Sequence, residues 1–144
     1  MDDRAFIRAF EACSLPPGDF RHQDHVRLAW LYLRDEPAHV ALERFASGLK
    51  RFARSIGKEG LYHETITWAY LLLIGERMAR EGPAATWEDF AARNGDLLTW
   101  RPSILDRYYR EETLRSDLAR RVFVWPDRLV GGPSDGLERS STEL

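Results

Sequence analysis

Apolar residues along this chain recur every three to four positions, and nowhere do they alternate with a period of two for long enough to propose a strand. The pattern predicts helices throughout. The first covers Asp3–Cys13, with Phe6, Ile7 and Phe10 on one face; the following "SLPPGD" stops it, since two prolines and a glycine cannot extend a helix. A second spans His22–Asp35, with Val26, Ala29, Trp30 and Leu33 as its inner stripe and Leu28, Leu31 and Tyr32 widening it. Pro37 opens a third, where a missing N–H is harmless, and Val40, Leu42, Phe45, Leu49, Phe52 and Ile56 carry it to a C-capping Gly57. The fourth runs from near Tyr62 to just before Gly82. Its stretch "ITWAYLLLI" is apolar almost all the way round, which predicts the central, most buried helix.

Shorter elements follow. Thr86 and Asp89 resemble a capping box for a helix ending at Asn94-Gly95. Pro102 begins another helical stretch through "SILDRYY", and Ser116 caps a last one, "DLARRVFVW", stopped by Pro126. The fold class expected is all-α: a bundle of four main helices with two or three shorter C-terminal helices. Residues 1–130 read as a single helical domain, and residues 131–144, rich in Gly, Ser and charge, as a flexible tail.

Composition narrows the classes of function. With 144 residues, 44% of them hydrophobic, the chain supports a sizeable core without disulfides or a structural metal. Cys13 is the only cysteine, so an intramolecular disulfide and a zinc site of several thiolates are excluded; it reads as a small buried hydrophobe. A net charge of -2 provides no basic field for nucleic acid or anionic lipid. The arginines between Arg101 and Arg121 alternate with Asp106, Glu111, Glu112 and Asp117, the pattern of a solvated face. The longest apolar run, residues 68–74, is far short of the ~20 residues of a membrane span. The charged start "MDDRAFIRAF" lacks the apolar core of a signal peptide, and a cytoplasmic location is expected. A homodimer is compatible with this composition but not required by it.

Two polar clusters carry the candidate chemistry. "FRHQDHVRLAW" places His22, Asp24 and His25 at the start of the second helix, and "LYHETITW" places His63 and Glu64 at the start of the fourth. Short connections favour antiparallel neighbours, so the second and fourth helices begin at the same end of the bundle. His22 and His25 share a face and continue the inner stripe of Val26, Ala29 and Leu33. Glu64 lies in line with Trp68, a costly place for a carboxylate unless it is paired or protonated. His39, early in the third helix among polar neighbours, reads as a surface residue.

Three imidazoles with a carboxylate are a familiar ligand set for one divalent metal, Zn, Fe or Mn: His22, His25, His63 and Glu64, with Asp24 orienting an imidazole. Without metal, two helix N-termini and protonated histidines suit a small carboxylate or phosphate, with His63 or Glu64 as general base. Tyr62 and Thr67 offer hydroxyls to a substrate.

The segments "HQDHVRLAWLYLR", "YHETITWAYLLLI" and "RYYREETLRSDLARRVFVWPD" resemble a family of small bacterial all-helical proteins, over roughly residues 5–130. The resemblance implies no activity. The expectation from the residues is a small-molecule enzyme with a His/carboxylate pocket at one bundle end, in which His22, His25 and His63 are ligands or acid–base groups, Glu64 is the carboxylate ligand or base and Asp24 is the catalytic orienting group. The rival is a non-catalytic helical protein that binds a partner or a ligand, its histidines only capping and closing the bundle. That rival predicts an exposed apolar patch built from Trp87, Phe90, Trp100 or Trp125.

Overall fold

The computed structural model describes residues 1–128, and all its regular elements there are α-helices or 3-10 turns. The first helix, α1 (Asp3–Glu11), starts where the Asp2 carboxylate accepts the Ala5 N–H at 2.8 Å. It ends at Glu11 rather than Cys13 because Cys13 takes a left-handed conformation, φ 55°. The Cys13 and Ser14 N–H groups then bond back to the Phe10 and Ala9 carbonyls, a closure most often built on glycine. Cys13 is therefore half-buried at a helix end, not sunk in the core.

The second helix, α2 (His22–Asp35), has its predicted bounds. Pro37 precedes α3 (Ala38–Ser55), which closes on Gly57 at φ 69°. A 3-10 turn over Glu59–Leu61 leads to α4 (Glu64–Glu81). Helices α2, α3 and α4 pack on one another, and α1 lies against α3. There the Phe10 ring sits so close to the α3 backbone that a Cβ at Gly48 would fall 2.4 Å from Phe10 Cε2.

The central helix is α2 rather than α4. Val26 and the run Leu28–Tyr32 are buried, whereas Leu72 of α4 is 45% exposed. The difference arises because short helices cover the outer side of α2: α5 (Trp87–Arg93) and α6 (Gly95–Leu98) both pack on it. Thr86 caps α5 by accepting the Asp89 N–H, as its spacing predicts. Trp87 and Phe90 pack on Trp30 with ring centroids 6.1 Å away in each case.

Beyond α6 the chain departs from the predicted helices. The stretch after Pro102 forms a 3-10 turn at Ile104–Arg107, set by Ser103 Oγ accepting the Leu105 N–H. Two five-residue helices follow, α7 (Glu111–Arg115) and α8 (Asp117–Arg121), with α8 against α4. The last helix stops at Arg121, and Ser116 caps it. Residues Val122 and Val124 are β-branched, and this stretch runs extended over the start of α4. Thr65 Oγ1 donates to the Val122 carbonyl at 3.0 Å and accepts the Val124 N–H at 3.2 Å. The Tyr109 hydroxyl donates to the Val124 carbonyl at 2.7 Å. Side chains thus supply the partners that a helix would have found in its own backbone. The flexible tail expected at residues 131–144 lies outside the described residues. No helix among the described residues is long and apolar enough to cross a membrane.

Candidate functional site

The starts of α2 and α4 meet at one end of the bundle, around a cavity of about 570 Å³. This is within the size range of small-molecule pockets. His22, His25 and His63 all line it. Its apolar walls include Phe20 and Val26 around the start of α2, Phe45, Leu49 and Phe52 on α3 with Ile56 just after it, Ile66 and Tyr70 on α4, and Trp100 beyond α6. The sequence brings these together because the long α3 returns the chain to the end where α2 began.

Each histidine has a different role. His63 is the N-cap of α4: its Nδ1 accepts the Ile66 N–H at 3.1 Å, and its Nε2–H donates to the Leu114 carbonyl at 2.7 Å. Both nitrogens are engaged, which fixes a neutral Nε2–H tautomer. His22 Nε2–H donates to the Leu97 carbonyl at 2.8 Å, leaving Nδ1 as its acceptor. Its ring stands edge-on to Tyr70, with centroids 4.9 Å apart, and 5.1 Å from Trp100. His25 lies flat on Phe20, centroids 4.1 Å apart and 17° between planes. Among the described residues its ring makes no hydrogen bond.

Burial holds all three imidazoles below their ordinary proton affinity. For His25 burial, helped by neighbouring His22, pushes the pKa down to about 4. For His22 burial outweighs the opposing Leu97 bond. For His63 burial outweighs the Leu114 bond, and the charge of Arg120 adds to the lowering. The site expected to bind anions through protonated histidines is therefore neutral at these rings. The cations that line the cavity are Lys58 and Arg120.

The two carboxylates do not join the histidines. The Asp24 carboxylate turns back to accept the Arg21 N–H at 2.9 Å and so caps α2. Glu64 accepts the Tyr62 hydroxyl at 2.5 Å and Trp68 Nε1–H at 2.8 Å, with Lys50 Nζ 4.0 Å away. That is the pairing its position above Trp68 requires. Neither lines the cavity, and among the described residues no group of three or more His, Cys, Asp or Glu is placed to hold a metal ion. Among the described residues, the cavity-lining ring nitrogens without a protein partner are His22 Nδ1 and those of His25.

Tyr62 and Thr67 do line the cavity, but their hydroxyls are committed, to Glu64 and to the His63 carbonyl at 2.7 Å respectively. Burial and Glu64 push the Tyr62 hydroxyl up. Lys58, Arg120 and Tyr70 were not singled out by sequence reasoning. Lys58 lies in the connection after the capping Gly57, and Arg120 reaches the site only through packing of α8 on α4. Of the aromatics proposed for an exposed patch, Phe90 is buried and Trp87 half-buried, while Trp100 is 44% and Trp125 82% exposed. No family model, curated protein or solved structure matches the chain.

Proposed function

We propose that this protein is a small-molecule enzyme whose substrate occupies the cavity between the starts of α2 and α4, with His25 as the group that exchanges a proton or hydrogen bond with it. One observation carries this reading. His25 is a neutral imidazole without a hydrogen-bond partner among the described residues, facing a cavity of about 570 Å³ walled by aromatic and aliphatic side chains. The ring is half-buried and faces the cavity, and an imidazole left free of protein partners in a pocket is a functional candidate. His22 and His63 hold backbone carbonyls and shape the pocket. The His25 ring, free of protein partners, exchanges a hydrogen bond or a proton with a substrate bound in the cavity.

His25→Phe tests this, since it keeps the stacking on Phe20 and removes both nitrogens. A set of small aromatic and aliphatic acids, amides and alcohols is offered to the native protein and the variant, with binding followed by calorimetry and turnover by mass spectrometry. The expected result is turnover by the native protein alone, with the variant still folded. Equal turnover by both would overturn the role given to His25, and absence of binding by the native protein would overturn the pocket itself. Elemental analysis of untagged protein, before and after chelation, decides whether His22 Nδ1 and His25 also hold a metal.

A further inference from the structure

The charged side chains that line this cavity have one sign. Its ionisable lining consists of His22, His25, His63, Lys58, Arg120 and the hydroxyls of Tyr62 and Tyr70; no Asp or Glu of the described residues is among it. Elsewhere some of the cations are closely paired, and others, like these two, are not. Arg27 meets Asp3 at 2.8 Å, Arg44 meets Glu11 at 2.7 Å, Arg77 meets Asp96 at 2.8 Å and Arg121 meets Asp117 at 2.7 Å. Among the described residues neither Lys58 nor Arg120 has an acidic partner. Arg120 instead donates to the Gly60 carbonyl, which fastens α8 to the turn that carries Leu61 and Tyr62. That bond holds the exposed Arg120 side chain beside the cavity without neutralising its charge.

From this arrangement we infer that the ligand is an amphipathic anion, with an aromatic or branched apolar body against Phe20, Phe45, Phe52 and Ile66 and an anionic head group met by Lys58 and Arg120. The inference rests on the pocket reading above and specifies its substrate class. The apolar walls provide burial for the body. The two cations provide charge-assisted hydrogen bonds to the head, and the absence of carboxylates from the lining spares it like-charge repulsion. A neutral ligand of the same shape keeps the first contribution and forfeits the second.

The matched probes are phenylalkyl carboxylates of increasing chain length and their primary amides, titrated into the full chain by calorimetry, with the His Cε1–H resonances followed in parallel. The carboxylate is expected to bind about tenfold or more tighter than its amide. Lys58→Gln combined with Arg120→Gln should abolish that preference while leaving amide affinity within about twofold, and Arg120→Lys should retain most of it. Amides that bind as tightly as the acids, with the His25 resonance shifted by both, would overturn the anionic head group and leave the pocket reading standing. Equal weakening of acid and amide in the double variant would show a wall effect and overturn the role of the two cations. If neither probe series moves the His22 or His25 resonances, the pocket reading fails and takes this inference with it.

Discussion

The state of His25 makes the stability of this protein depend on pH in a defined direction. In the unfolded chain the imidazole has its ordinary pKa of 6.5; in the fold, burial beside His22 brings it to about 4. Between these values the unfolded chain binds the proton and the native protein does not, so stability is complete above the upper value and is lost as pH falls. The full cost, reached below the lower value, is about 3 kcal/mol, and about 2 kcal/mol of it is lost between neutral pH and about pH 5. His22 and His63 are also held below their ordinary values and add in the same direction. Asp3 and Asp96, held low first by hydrogen bonds from Arg27 and Arg77 respectively, lose their contribution only in more acidic solution. Urea unfolding of the native protein and of His25→Phe, at about pH 7.5 and about pH 5, isolates the term. The native protein should lose about 2 kcal/mol more than the variant over that interval. Identical losses, or a His25 Cε1–H resonance that titrates near the ordinary value, would refute the reasoning.

Other substitutions test the packing that positions the site. Gly48→Ala would raise helix propensity by up to about 1 kcal/mol, but the added methyl meets the buried Phe10 ring at 2.4 Å, so a net loss of about 1–3 kcal/mol in urea unfolding is expected. Thr65→Val keeps the shape and removes both hydrogen bonds to Val122 and Val124; it should cost about 1–3 kcal/mol and speed amide exchange at Val124. His63→Asn keeps an N-capping oxygen and loses only the Leu114 link, whereas His63→Ala loses both, so the alanine variant should be about 1 kcal/mol less stable than the asparagine variant by thermal melting.

The parts of the fold legible in the sequence are those in which local preference and tertiary packing agree. The apolar stripe of α2 and the Pro and Gly flanking α3 gave bounds that the structure reproduces within a residue or two. The C-terminal region was not legible to that degree. Whether "RVFVW" continues a helix depends on Thr65 and Tyr109, which lie far away in sequence and offer its backbone other partners. The same division holds at the site. Helix directions were enough to bring His22, His25 and His63 to one cavity. The directions of Asp24 and Glu64 were set by nearby donors, the Arg21 N–H in one case and Tyr62 with Trp68 in the other. Lys58 and Arg120 share no periodicity or motif, and only the docking of α8 brings them together.

The helix α2 serves two regions with its two halves. Its first turns present His22 and His25 to the cavity, while Trp30, Leu31 and Tyr32 are locked into packing with other elements. Replacements at Ile56, Ile66 or Trp100 therefore change the shape of the cavity while the Trp30 end continues to anchor the rod. In such an architecture the lining at one end is free to vary without loosening the packing at the other.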